Sequence, residues 1–416
     1  SEVRDYGEVD WTTGADTGTD YVRTVMTYAS NTSNNVRGVL TRKIAYDKAN
    51  AVMGQNYLYY DGSTTFGSVV KGLVTRSQVW NKTGTTQSWL VTQQNTYNAY
   101  GQLLTAKDAA GNMSTFLYDP TYSMFVLQGR DPKGFTKTSE HYGVNNVSLT
   151  GGVWGATKSV TDANARKMVS TYDALGRVTA EINPLDSAAY PTTTYEYQTK
   201  TNYRVVVARR RVEHGQAATL ASYTYIDGLG RALASKTPSA SSGKYLVSGH
   251  ALLNTRGLVV KTYQPYLSTQ GYDVLELPGA TSILAATHDY DALGRRVKVT
   301  LADGTYSVSS FTPRRTTLTD PNGHRRVLVL DARGRTIISE DWYGATGQSG
   351  AYPAAAFARY ASTVYAYDTS GNLASVTDAN DKVTSMTYDA LGRKTGMNDP
   401  DMHNVRYEYN ALNQLV

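Results

Sequence analysis

YDTSGNLASVTDANDKVTSMT, residues 367–387, runs directly into YDALGRKTGMNDPDMHNVRYE, residues 388–408, and then into YNALNQLV, residues 409–416. Each restart falls 21 residues after the last, and the same interval separates Tyr97 from Tyr118. Within the unit a second acidic position follows the tyrosine by 11 residues, as from Tyr97 to Asp108, Tyr367 to Asp378 and Tyr388 to Asp399. Asn183 takes that place after Tyr172, and Asp341 takes it after Leu330. The next tyrosine comes 10 residues later, as from Asp162 to Tyr172. A stride of 11 and then 10 fits two strands and two turns, which is one hairpin per unit.

The turns have a chemical signature. Asp or Asn followed three places later by Gly occurs 14 times, beginning at Asn35, Asn81, Asn98, Asp108, Asp131, Asp173, Asp227, Asn254, Asp291, Asp320, Asp331, Asp341, Asp368 and Asp389. With 48 Asp plus Asn and 36 Gly in 416 positions, chance would place about four. A type I turn favours Asp or Asn first, because its side chain accepts from backbone amides just ahead. The glycine supplies the left-handed residue that closes a hairpin with a bulge. The predicted turn pairs are Asp108 with Gly111, Asp173 with Gly176, Asp227 with Gly230, Asp291 with Gly294, Asp320 with Gly323, Asp331 with Gly334, Asp368 with Gly371 and Asp389 with Gly392. The repeat tyrosines are Tyr97, Tyr118, Tyr172, Tyr225, Tyr290, Tyr367, Tyr388 and Tyr409.

Between the turns the residues read as strands. Thr384, Met386 and Tyr388 alternate with Val383, Ser385 and Thr387, and both faces are short of large aliphatics, so the sheet is expected to be thinly covered on each side. Residues 203–208 (YRVVVA) and 326–330 (RVLVL) are rich in β-branched residues. The 33 tyrosines against 6 phenylalanines suit half-buried pleated surfaces. A short helix is expected only over residues 352–360 (YPAAAFARY). Residues 185–194, 238–245 and 264–278 break the period as loops or added strands. These features give an all-β chain: residues 1–94 form a divergent N-terminal set of β repeats, with degenerate units at Tyr46-Asp47 and Tyr60-Asp61, and residues 95–416 form the repeat array with insertions.

Composition narrows the function. The excess of 41 Lys plus Arg over 35 Asp plus Glu, a net of +6, is too dilute for a nucleic-acid or membrane surface. Its one dense cluster, Arg209 to Arg211, is expected at a solvated strand edge that discourages edge pairing. There is no cysteine, which removes disulfides, thiolate metal sites and cysteine nucleophiles. No apolar run approaches the ~20 residues of a membrane span.

Residues 172–178 (YDALGRV), with near copies at residues 290–297 and 388–394, resemble the YDxxGRL signature of the Rhs/YD-repeat family. Residues 225–231 (YIDGLGR) and 253–266 (LNTRGLVVKTYQPY) are similar to the repeat region of the B and C components of Tc toxin complexes. The resemblance implies tandem hairpins spiralling into a hollow shell, a cocoon, or a segment of its wall. It also implies a secreted or cell-surface bacterial protein. In toxin members the shell encloses a C-terminal toxic domain behind a self-cleaving core; in teneurins a related shell belongs to an adhesion module. This chain starts at Ser1 and stops within a unit, so it is expected to be a piece of a longer one.

Candidate chemistry is weak beside this pattern. Asp119-Pro120, Asp131-Pro132, Asp320-Pro321 and Asp399-Pro400 fit turn openings better than autoproteolysis. The recurrent carboxylates do not converge as a catalytic pair must. His141, His214, His250, His288, His324 and His403 lack metal-ligand spacing. Residues 16–20 (DTGTD) fit a plain turn better than a calcium loop, and no phosphate-binding loop opens a helix. Trp80, Trp89, Trp154 and Trp342 with the tyrosine ladders are candidate glycan platforms. No catalytic, cofactor or metal residue is assigned, and no enzyme activity is expected. The expectation is a shell segment whose partners are its own C-terminal toxin domain or other shell segments, with a delivery component of a toxin complex. The alternative is an adhesion or carbohydrate-binding module without cargo.

Overall fold

The computed structural model describes residues 1–5, 21–83, 86–241, 243–275, 283–343 and 358–416. These form 32 strands and one 3-10 turn, Thr32–Asn34, with no α-helix among the described residues. No described helix is long and apolar enough to cross a membrane. The fold is all-β, built of antiparallel hairpins in which most strands pair with their neighbours in sequence.

The register slips at the same place in unit after unit, between Thr96 and Tyr97, Thr171 and Tyr172, Asp289 and Tyr290, Ala366 and Tyr367, and Thr387 and Tyr388. The cause lies in the next turn. Its glycine takes a left-handed conformation, as at Gly176 (φ 76°), Gly294 (φ 81°) and Gly392 (φ 75°), and the extra residue forms a bulge opposite the tyrosine.

The chain divides into two compact units, Ser1–Phe116 with Ser310–Val416, and Leu117–Ser309. The first unit holds two strand runs. One passes from Glu2–Asp5 through Val22–Asn31, Val36–Tyr46, Val52–Tyr60, Val74–Thr83 and Thr86–Tyr97 to Leu103–Asp108. The other passes from Arg315–Thr319 and Arg325–Leu330 to Lys394–Asp399 and His403–Arg406. No described strand of one run pairs with a strand of the other.

The second unit contains the apolar cluster. Val205, Val207, Tyr223, Tyr225, Ala234 and Val247 are buried together on the strands Arg204–Arg211, Thr219–Ile226, Ala232–Pro238 and Tyr245–Ser248. A strap of chain after Tyr266–Ser268 lies against this cluster. Tyr272 stacks on Tyr223 at 4.5 Å, and the Tyr203 hydroxyl donates to the Asp273 carbonyl at 3.0 Å. Lys236, fully buried, donates from Nζ to the carbonyls of Val274 at 2.9 Å and Gly271 at 3.3 Å.

Several sequence expectations are corrected. Arg209, Arg210 and Arg211 do not line an edge: their strand is paired on both sides, with Arg209 opposite Thr194 and Ala221. Arg209 instead meets Glu196 at 3.2 Å, and Arg211 donates to the Pro191 carbonyl at 2.8 Å. Asn35 closes the 3-10 turn rather than opening a hairpin. Asn81 and Asp341 lie inside strands, opposite Ser88 and Arg326. Of the expected helix, residues 358–360 belong to the strand Ala358–Tyr367, and residues 352–357 lie outside the described residues. The DTGTD stretch at residues 16–20 also lies outside them.

Candidate functional site

The recurring turn with its tyrosine is the only arrangement the sequence repeats, and its geometry explains every letter of the motif. At Asp389 the backbone N–H donates to the Arg393 carbonyl at 3.0 Å, and the Gly392 N–H donates to the Asp389 carbonyl at 3.0 Å. The Asp389 carboxylate accepts from the N–H groups of Leu391 and Arg393, both at 3.0 Å, and from Arg393 Nε at 2.7 Å. Aspartate is favoured first because one carboxylate satisfies two turn amides and a guanidinium together. The same bonds recur at Asp173, Asp227, Asp291 and Asp331, each with the arginine four residues on. Asn112 and Asn372 replace that arginine at Asp108 and Asp368, and His324 replaces it at Asp320.

In three of these turns the arginine then reaches a tyrosine further along the chain. Arg177 lies over the Tyr197 ring at 4.4 Å, Arg335 over Tyr367 at 4.3 Å and Arg393 over Tyr409 at 5.1 Å. The tyrosine hydroxyl closes the circuit on a main-chain carbonyl. Tyr197 donates to Val178 at 2.9 Å, Tyr367 to Thr336 at 2.9 Å, Tyr388 to Leu373 at 2.9 Å and Tyr409 to Lys394 at 3.0 Å. Tyr172 donates to Thr157 at 2.9 Å, Tyr290 to Val259 at 2.7 Å, Tyr97 to Val74 at 2.8 Å, and Tyr60 to Leu40. In all eight the acceptor is the second residue after a glycine with positive φ: Gly38, Gly72, Gly155, Gly176, Gly257, Gly334, Gly371 or Gly392. Each bond is worth about 1 kcal/mol, so the wall is stapled hairpin to hairpin.

Two repeat tyrosines depart from this. Tyr225 donates instead to the Tyr272 carbonyl of the strap, and Tyr118 is half-buried without such a bond. Tyr197 is not among the expected repeat tyrosines, and Tyr60 is expected only within a degenerate unit. Their signal is a tyrosine 22 or 21 residues after a turn glycine, Gly38 or Gly176. Five further turns have the same pair of backbone bonds without the full Asp/Asn-to-Gly pattern: Asp47 to Asn50, Asp162 to Ala165, Leu301 to Gly304, Asp378 to Asp381 and Asn410 to Asn413.

The carboxylates are consumed structurally. Arg177 holds Asp173 below the usual carboxylate range, and the N–H groups of Arg231 and Arg295 do so for Asp227 and Asp291. Burial pushes Asp331 up, but the N–H and guanidinium of Arg335 outweigh it and the carboxyl ends lower. Asp173, Asp227, Asp291 and Asp331 each serve their own turn. Of the Asp-Pro sites, Asp119 is buried and accepts from the N–H groups of Tyr122, Met124 and Phe125. No group of three His, Asp or Glu suited to a metal occurs among the described residues. His250 is buried against the Tyr266 hydroxyl at 2.9 Å, and His214 meets Asp186 at 3.2 Å. Of the candidate platform rings, Trp80 is buried. Trp89 packs on Tyr57 at 4.6 Å, and Trp154 packs edge-on to Phe125 at 5.3 Å.

These units form an array of β-hairpins, and the family model of the RHS repeat matches residues 367–401 within it. The chain resembles Rhs/YD-repeat proteins in motif and in fold. Among solved structures it is similar to the crystal structure of TcdB2-TccC3, at TM-score 0.75 and 17% identity over 95% of this chain and 26% of that one. It is also similar to the Photorhabdus luminescens Tc holotoxin pore, at TM-score 0.74 and 15% identity over 95% of this chain and 27% of that one. For TcdB2-TccC3 without its hypervariable C-terminal region the values are 0.72 and 14%, over 95% and 29%. The chain therefore spans about a quarter of the length of the solved chains it matches. No curated protein matches the sequence.

Proposed function

We propose that this chain is a non-catalytic wall segment of a secreted or surface Rhs-type protein, whose complete shell encloses a toxic C-terminal cargo lying outside these residues. One observation carries the reading: the likeness covers 95% of the chain and persists against TcdB2-TccC3 without its hypervariable C-terminal region. The likeness therefore does not depend on that region. The task of such a wall is steric, and hairpins stapled through turns and tyrosines suit it because no deep core is needed to hold them. Its partners are the cargo, the remaining shell and a delivery component. Electron cryo-microscopy of the purified chain tests the reading. A curved wall one sheet thick is expected; a filled two-sheet sandwich would refute it.

A second reading, an adhesive or glycan-binding module, draws on Tyr343 and Tyr360. Their rings stack at 4.2 Å with both side chains exposed, the form of surface on which sugars stack. A glycan array with the Tyr343→Ala variant as control decides it. Signal lost in the variant supports the reading, and no signal from the parent chain removes it.

A further inference from the structure

The first unit has a fork in its N-terminal run. The ladder between Val52–Tyr60 and Val74–Thr83 starts with Tyr60 opposite Val74 and stops with Asn56 opposite Val79. Beyond that point Gln55 and Gly54 stay paired to Ile44 and Ala45 on one side. Trp80 to Thr83 stay paired to Trp89 and Thr86 on the other. The two strands part, and the carbonyls of the second lose their partners on that side, an edge that a sheet must cover.

The turn Asp389–Gly392 of the C-terminal run covers it. The Ala390 N–H donates to the Lys82 carbonyl at 3.3 Å, standing in for the absent strand. Ala390 and Leu391 face Gly54, Gln55, Asn56 and Trp80 across a residual cavity of about 160 Å³. In the earlier turn Asp331–Gly334 of the same run, Arg333 pairs with Asp5 at 3.0 Å.

The chain supplies its own controls. Asp-Ala-Leu-Gly also occurs at residues 173–176 and 291–294, and Asp-Gly-Leu-Gly at residues 227–230. There the leucine stands in solvent: Leu175 is 77% exposed, Leu293 76% and Leu229 80%, whereas Leu391 is half-buried. Local sequence alone therefore does not bury this leucine. The fork does.

We propose that the fork between Val52–Tyr60 and Val74–Thr83 is a receptor for the Asp389–Gly392 turn, forming a latch that closes the two strand runs of this unit on each other and can release without unzipping a ladder. The joint consists of a turn tip, one backbone hydrogen bond, a partly exposed ion pair and an imperfectly filled cavity. Each of these is separable at modest cost. The latch goes beyond the enclosure reading and stands whether or not a cargo exists.

Because the chain has no cysteine, Lys82→Cys with Ala390→Cys gives a clean pair for a short bismaleimide. Intramolecular crosslinking is expected in the folded monomer. It should slow by about tenfold on adding Leu391→Asn, which removes the apolar tip, and stay unchanged on adding Leu175→Asn. Asparagine suits this turn position, since Asn322 holds it in the turn Asp320–Gly323, and circular dichroism checks that the fold is kept. Hydrogen exchange supplies a second reading in the parent chain: the Ala390 amide should exchange about tenfold more slowly than those of Ala174 and Ala292. Equal exchange at the three alanines overturns the latch, and so does a crosslink that is absent, only intermolecular, or indifferent to Leu391→Asn.

Discussion

The strand run over residues 358–416 and the stretch from Thr193 to Leu275 are made of the same hairpins but held by different forces. In the first, Asp389 is the only buried residue among those described, and its bonds are polar ones within its own turn. In the second, Val205, Val207, Tyr225 and Val247 are withdrawn from solvent completely, together with the Lys236 ammonium. The difference is the strap after Ser268, which lays Tyr272 on Tyr223 and offers its carbonyls to Lys236. The repeat grammar by itself thus makes a wall fastened by side chain-to-backbone bonds. A dry core appears where an insertion supplies the second layer that a sheet face needs.

Lys236→Met tests the contrast most severely. It keeps the volume but takes the charged donor away from the Val274 and Gly271 carbonyls, a loss of about 3 kcal/mol. It should appear as new proteolytic sensitivity within residues 268–275, while exchange protection over residues 373–399 stays unchanged. Tyr388→Phe acts in the other region. Losing the bond to the Leu373 carbonyl should cost about 1 kcal/mol, seen as faster amide exchange in the strands on either side and no change at Val205. If Tyr388→Phe also loosened the valine cluster, the two regions would not be separately held.

Ala165→Gly runs in the opposite direction. Ala165 occupies the left-handed slot with φ 61°, where alanine is strained, so glycine should stabilise that turn by somewhat under ~1 kcal/mol. A denaturation midpoint that moves down instead would contradict this account of the turn. Acid produces the smallest change per turn. Asp173, Asp227 and Asp291 have carboxyls held low in the folded state, so their contribution is complete above the unfolded value of about 3.9 and is lost as pH falls through the lower folded values. The denaturation midpoint should be flat near neutrality and decline below about pH 4. A decline that set in at pH 6 would point to histidines instead.

The sequence is most legible where structure is decided locally. Asp173, Asp291 and Asp389 open turns because the carboxylate, the amides it satisfies and the glycine that closes the bend all lie within five residues. Asn81 and Asp341 carry the same spacing yet lie in strands, because ladder partners far away in sequence decide their backbone. Ala165 and Asp381 show the converse: a hairpin can hold a non-glycine residue in the left-handed slot once both strands are paired. The arginine cluster at 209–211 was misplaced for a related reason, since nothing within the run says whether its strand has one neighbour or two. The tyrosines were visible as a period, but their hydroxyl acceptors lie 15 to 31 residues away and came into view only with the fold. The strap and Lys236 had no periodic signal at all.

The hydroxyl of each stapling tyrosine ends on an atom that every amino acid carries. Leu373, Lys394, Thr336 and Val259 serve equally well as acceptors, although one is charged, one polar and two aliphatic. Mutation can therefore rewrite that position freely without removing the fastening. The letters there can change while the geometry stays put, and a fold fastened in this way is compatible with 17% identity at a TM-score of 0.75.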